Sequence, residues 1–462
     1  MERWLFLDAV GLTPALLGSG AMPRTAAWAA RRETRSLVPD LPAVTCTVQA
    51  SMLTGRTPAE HGAVANGWYF RDLAEVWLWR QSVHLIDGGG TLPTVFTRWR
   101  EQHPDSPSAQ MFWWWNLPSH ADLSATPRPT YYADGRKGPD IHTHPSALRE
   151  DLHRTLGDFP LFRFWGPGAG LPSTRWIADA TLRTLETRQP GLALAYLPHL
   201  DYDLQRFGPD GPAARRAAAE LDEVLAALIE SAEGLGYQVV VLSEYGIEAV
   251  DAALEPNRML RREGLLAVHP AHNGSLLDPG NSRAFAVCDH QLAHVYVRDA
   301  ADLPRVRALL EGMDGIGEVR DRAAAADWGL DHPRSGELVC LAAPGRWFAY
   351  PYWLEDEPEP DFARGVDIHR KPGYDPCELF LDPTKRLWKA RIAAKLARKL
   401  LGFRTVMDVV PLDPSLVRGS HGRPPSSPEQ GPLWIGPPGV LPGDGPVSCR
   451  DALWGALRLP RP

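Results

Sequence analysis

Three acidic residues stand where apolar runs end. Asp8 closes Trp4-Leu5-Phe6-Leu7, Asp201 follows the run 192–197 in Pro198-His199-Leu200-Asp201, and Glu244 follows 238–242 in Ser243-Glu244-Tyr245-Gly246. Such runs read as buried strands, and ligands of open α/β sheets bind outside the carboxyl ends of strands, so each acid is a site candidate. A hydroxyl joins them. Thr45, in Val44-Thr45-Cys46-Thr47-Val48-Gln49-Ala50-Ser51-Met52-Leu53-Thr54-Gly55, precedes a helical stretch, where backbone N–H groups favour an anionic phosphate facing the nucleophile. By itself a Thr in that position is an ordinary helix cap.

The elements that must position these residues follow from the pattern between them. Leu221, Val224, Leu225, Leu228 and Ile229 mark one face of a helix closed near Gly234 and Gly236. Strand, helix, strand predicts a parallel pair with a right-handed crossover. Beyond Gly246 the reading changes: 284–287, 293–297 and 336–341 read as strands and 303–310 as a helix. This predicts an α/β fold with a catalytic core over 1–255 and 405–462 and an inserted α+β cap subdomain over 256–404. Residues 103–173, with the run Trp113 to Trp115, and residues 354–376 show little periodicity and read as long loops, a common place for lids.

Composition narrows the function classes. Across 462 residues, 44% are hydrophobic and 23% charged, as in a globular enzyme, and the formal net charge of -7 argues against stable nucleic-acid binding. One stretch is locally basic: Lys385, Arg386, Lys389, Arg391, Lys395, Arg398 and Lys399 alternate with Leu387, Ile392, Leu396, Leu400 and Leu401 at helical spacing. It is taken as a solvated helix face, not as a membrane anchor. Cys46, Cys288, Cys340, Cys377 and Cys449 are scattered singly, which argues against a disulfide framework or thiolate cluster and fits a reducing cytoplasm. Asp8 interrupts the apolar start before a signal-peptide core could form, and no stretch reaches the length of a membrane span.

The order of these motifs resembles the alkaline phosphatase superfamily, most closely its nucleotide pyrophosphatase/phosphodiesterase (type I phosphodiesterase) and phosphonoacetate hydrolase branches. Leu5-Phe6-Leu7-Asp8 is similar to the family's first metal-binding strand. Thr45, Ser51 to Gly55 and Pro58-Ala59-Glu60-His61-Gly62 reproduce its nucleophile segment, and Gly419-Ser420-His421-Gly422 its late Ser-His-Gly. The resemblance implies an alkaline phosphatase-like, mostly parallel sheet flanked by helices. It also implies hydrolysis of phosphodiester or pyrophosphate bonds through a phospho-threonine on Thr45, with Asn66 on a phosphate oxygen. The metal it implies is zinc, as a pair of ions, and the ligands it implies are Asp8, Thr45, Asp201, Glu244 and His421.

Three positions depart from the pattern: Gln205 and Tyr245 stand for His ligands, and Glu244 for Asp. Imidazole suits zinc, while carboxylate and amide oxygens suit magnesium, manganese or calcium, so one or two divalent ions remain open. His369, His290 and His294 are candidates to fill the gaps. A phosphonate or phosphomonoester hydrolase, a transferase using the same Thr, and a catalytically inactive binding protein are the alternatives; the implied partner is a small phosphate or phosphonate ester.

Overall fold

The computed structural model describes residues 2–133, 137–403 and 405–460. Its centre is β1 (Arg3–Ala9). Side chains alternate across a strand: Leu5, Leu7 and Ala9 join one buried cluster, and Trp4 and Phe6 the other. Both faces are therefore covered, as a central strand of a parallel sheet requires. Asp8 shares the parity of Trp4 and Phe6, so it points to the face on which the helix beginning at Thr45 packs.

The elements used below are, in chain order, β2 (Glu33–Val38), α1 (Thr45–Thr54), β3 (Ser108–Met111), β4 (Leu123–Pro127), β5 (Ile141–His144), β6 (Leu192–Leu197), α2 (His199–Phe207), α3 (Pro212–Gly234), β7 (Tyr237–Leu242), β8 (Ala284–Asp289), β9 (Leu292–Val297), β10 (Ile316–Asp321), β11 (Leu338–Ala342), α4 (Trp388–Leu400), β12 (Leu433–Gly436), β13 (Val447–Ser448) and α5 (Cys449–Ala456). A nine-stranded sheet runs β13-β2-β12-β7-β1-β6-β3-β4-β5. Its five middle strands, β7 to β4, are parallel, while β5 and β12 pair antiparallel. The predicted strand-helix-strand unit is β6, α2, α3 and β7, with β1 lying between the two strands. It is a mixed α/β fold with a large, mostly parallel central sheet flanked by helices, as expected.

Helix α1 is buried along all ten residues and ends at Gly55, whose left-handed φ of 67° places it against the Trp454 ring of α5. That contact packs α1 against α5. A second sheet, β8-β9-β11-β10, is antiparallel. Its Ala293, Val295 and Cys340 face a separate cluster with Phe348 and Tyr350, while Leu292, Val339 and Leu341 pack on the main core.

Residues 103–173 depart from the loop expectation, since they supply β3, β4, β5 and the helix Ser146–Leu156. β3 and β4 are short and nearly all buried, so they lack the apolar–polar alternation that reveals a strand, and β5 alternates over only four residues.

Candidate active site

Helix α1 begins at Thr45, with Val44 in extended conformation before it. Thr45 is 4% exposed, yet it lines a cavity of about 1710 Å³ together with Asp201, Gln205, Tyr245, His290, Tyr374 and His421. Its Oγ1 lies 3.2 Å from Tyr245 Oη, which in turn donates to Asp201 Oδ1 at 3.3 Å. A continuous path of hydroxyls thus joins the nucleophile candidate to a carboxylate.

Asp8 and Glu244 leave the ends of neighbouring strands β1 and β7 and are wholly buried. Gln49, one helical turn beyond Thr45, reaches both. Its Nε2 donates to Asp8 Oδ2 at 3.3 Å and to Glu244 Oε1, while its Oε1 accepts from the Trp114 backbone N–H at 2.5 Å. The other oxygen of each acid, Asp8 Oδ1 and Glu244 Oε2, has no hydrogen-bond partner. Burial raises both carboxyls, and the charge of Glu244 raises Asp8 further; at Glu244 the contact with Asp8, then Gln49 and Thr45, offset part of the effect. Two buried carboxylates in contact require a proton or a cation between them. The residues therefore fit one divalent ion, and the all-oxygen set of Asp8, Glu244 and Thr45 suits a hard ion such as magnesium or manganese better than zinc.

The other half of the site is different. Asp201 Oδ2 accepts from Gln205 Nε2 at 2.8 Å and Oδ1 accepts from Tyr245, so both oxygens are occupied. Gln205 Oε1 accepts from the Tyr374 hydroxyl at 2.7 Å, which turns the amide nitrogen toward the acid. Burial pushes the Asp201 carboxyl up to about 7 and the Tyr245 phenol well above its ordinary value, so the phenol stays a neutral donor. These residues do not fit a second ion. A hydrogen-bonded network stands where the resemblance implies one.

His421 and His290 complete the centre. The Nδ1 of His421 donates to the Ala43 carbonyl at 2.7 Å, leaving Nε2 3.9 Å from Asp201 Oδ1. His290 holds Asp289 Oδ1 at 2.7 Å through Nδ1, and its buried Nε2 is unpartnered. The rings pack as a stack: Tyr245 on His421 at 3.6 Å, His421 beside His290 at 3.8 Å, and His290 on Tyr374 at 3.7 Å. Burial lowers both imidazoles, which are neutral at physiological pH.

Other expected residues lie elsewhere. Asn66 is buried behind the start of α1: its Oδ1 accepts from the Cys46 N–H at 3.0 Å and its Nδ2 donates to Asp289 at 3.1 Å. It thus braces the turn that begins α1 and is not among the residues lining the cavity. His369 lines the cavity beside Arg80 and Asp367, not among the carboxylates. His294 is a core residue bound to the Val64 carbonyl and the Gly336 N–H. Gln49, Asp289 and Tyr374 carry no motif signal, and only the spacing of Gln49, four residues after Thr45, could have placed it on the helix face that Thr45 presents. A separate group, His84, Asp87 and His120, has ligand atoms within 4.8 Å of one another. Asp87 there also accepts the Gly89 and Gly90 N–H groups and so shapes that turn.

Gly246 makes the loop possible. A Cβ there would overlap the Gln430 carbonyl. Gly246→Ala is expected to displace Glu244 and Tyr245 and to destabilise the protein by about 1–3 kcal/mol, read as a lowered midpoint in urea.

The protein is a phosphoric ester hydrolase with an alkaline phosphatase-type fold. The chain belongs to the type I phosphodiesterase / nucleotide pyrophosphatase family, whose model matches residues 4–375; the family is generally metal-dependent. Among solved structures, phosphonoacetate hydrolase from Sinorhizobium meliloti 1021, in complex with phosphonoformate, is similar with a TM-score of 0.61 at 16% identity, over 99% of this chain and 95% of that one. Murine ectonucleotide pyrophosphatase / phosphodiesterase 5 gives 0.61 at 12% identity, over 100% and 96%. The human counterpart gives 0.59 at 10%, over 99% and 96%. No curated protein matches the chain in sequence.

Proposed function

We propose that the protein hydrolyses phosphodiester bonds by transfer of the phosphoryl group to Thr45 and then to water. The observation that carries this reading is the position of Thr45, at the start of a buried helix, facing the cavity and joined to Asp201 through Tyr245. As Thr45 Oγ1 bonds to phosphorus and the leaving oxygen departs, the Thr45 proton passes to Tyr245 Oη and the phenol proton to Asp201. In the second step water bonds to phosphorus, the Thr45 ester bond breaks, and the proton returns along the same path. His290, whose Nδ1 is held by Asp289, accepts the proton of that water at Nε2 and passes it to solvent. One divalent ion held by Asp8, Glu244 and Thr45 would supply Lewis-acid stabilisation of the threonine oxygen.

Phosphonates and phosphomonoesters fall within the same two steps, and a transferase would replace water by an acceptor. The closed Asp201–Gln205–Tyr245 network also motivates a non-catalytic binding protein, which turnover separates from the hydrolase. The buried single thiols support a reducing compartment, taken to be the cytoplasm. Among the described residues no helix is long and apolar enough to cross a membrane.

The test combines acid quenching during turnover of bis-p-nitrophenyl phosphate with mass spectrometry, under added manganese, magnesium or zinc. A p-nitrophenyl phosphate adduct on Thr45 is expected. Metal analysis of the protein is expected to find one ion per chain that Asp8→Asn removes, since Asp8 and Glu244 each keep an unpartnered carboxylate oxygen beside Thr45. No adduct and no turnover with any of the metals would reject the hydrolase, and the loss of two ions per chain in Asp8→Asn would reject the one-ion site.

A further inference from the structure

The cavity that reaches Thr45 is far larger than a phosphodiester centre needs. Its volume of about 1710 Å³ exceeds the roughly 300–1,000 Å³ of ordinary small-molecule sites. Away from the carboxylates the wall is mostly apolar, with Trp79, Phe159, Phe164 and Trp165, and Arg80, Arg128 and Arg163 also reach it. Helix α4 contributes Trp388, Ile392 and Leu396, spaced four residues apart on one stripe. No residue of α4 is buried, so the stripe covers the cavity without being sealed against the core.

The surroundings of α4 are equally unusual. Leu387, Leu400, Leu401, Phe403 and Val406 are 58–89% exposed. Lys385 and Lys395 pair with Asp382 and Asp408. Among the described residues, no carboxylate pairs with Arg386, Lys389, Arg391, Arg398 or Lys399. Exposed apolar side chains beside unpaired cations form a surface suited to an anionic lipid interface.

We infer that the substrate is an amphiphile, a phosphate ester carrying a long alkyl or isoprenoid chain, which lies in the aromatic cavity and enters across α4 from an anionic membrane surface. The inference names the substrate class of the hydrolase proposed above and rests on that reading for turnover, but not for binding. An apolar chain gains from each CH₂ it buries, whereas a nucleotide would leave most of this wall unused.

Two measurements test it on the full chain. In the first, turnover of ethyl, octyl and hexadecyl p-nitrophenyl phosphates is compared, and hexadecylphosphonate binding is measured by calorimetry. Expected is a kcat/KM that rises on the order of threefold per CH₂ until the chain fills the cavity, with a slope that Leu396→Asp flattens. Hexadecylphosphonate binding without turnover of any ester would uphold the inference and reject the hydrolase. Equal turnover of all three esters without phosphonate binding would overturn the inference and leave the hydrolase standing; neither binding nor turnover would overturn both.

In the second, the protein is sedimented with phosphatidylcholine vesicles with and without phosphatidylglycerol. Binding only to the anionic vesicles, lost in the triple variant Lys389→Glu, Arg391→Glu, Arg398→Glu, is expected. Absence of vesicle binding, equal binding to neutral vesicles, or a stable dimer that occludes α4 would overturn the membrane route.

Discussion

Thr45→Ala is expected to lower kcat/KM for bis-p-nitrophenyl phosphate by at least about 10³-fold while leaving the bound metal in place. The size follows from what is removed. No other hydroxyl at the start of α1 is joined to Asp201, because Thr47 lies inside the helix with its own Oγ1 buried and unpartnered. Water could attack phosphorus directly, but the proton path through Tyr245 begins at the Thr45 oxygen and would not serve it. Metal should persist because Asp8 and Glu244 supply the charged oxygens and Thr45 only a neutral one. Steady-state kinetics with metal analysis of the same preparation checks both parts; activity within tenfold of the parent would remove Thr45 from the role of nucleophile.

Lys371→Met is expected to destabilise the protein by about 3–5 kcal/mol, read from urea denaturation. Lys371 is 1% exposed, and its Nζ lies 2.7 Å from Asp375 Oδ2 and 2.7 Å from Glu378 Oε1. Burial opposes its charge, but the two carboxylates outweigh that and raise the ammonium above its ordinary value, while Glu378 is raised by burial. Removing the cation leaves two acids in contact with nothing to neutralise them. A lysine raised in the folded state contributes stability that is fully present below its unfolded value. That contribution is lost only as pH rises through the folded one, so the parent should keep it across neutral and mildly alkaline pH.

The loss should also reach the site. Glu378 accepts from the Trp165 indole at 2.6 Å, and Tyr374, between Lys371 and Asp375 in the chain, holds Gln205 and stacks on His290. Lys371→Met should therefore lower turnover even where the protein remains folded, whereas Lys371→Arg should restore much of the stability.

Much of this architecture was legible before folding was considered. Asp8, Asp201 and Glu244 were placed because each ends an apolar run, and a parallel sheet must carry such ends to one edge. Thr45 and His421 followed from motif order. The residues that complete the site were not legible for a common reason: they act across long sequence separations through single hydrogen bonds. Gln49 meets Glu244 from 195 residues away, and Tyr374 meets Gln205 across 169. Neither contact leaves a local periodicity.

The basic stretch near residue 390 shows the same limit from the other side. Its spacing correctly implied a helix, but spacing cannot say what an amphipathic helix faces, and α4 turns its apolar stripe to a cavity that only the fold creates.

By itself, then, the sequence determined the family, the α/β plan and the acids that line up at the sheet's edge, because strand patterning and motif order are local properties. The tertiary structure decided how those acids are paired. It brought Gln49 between Asp8 and Glu244, turned the Gln205 amide nitrogen toward Asp201 through Tyr374, and laid Tyr245 against His421. The number of ions such a site can hold depends on which buried oxygens remain unpartnered, and partnership is settled only when distant parts of the chain meet.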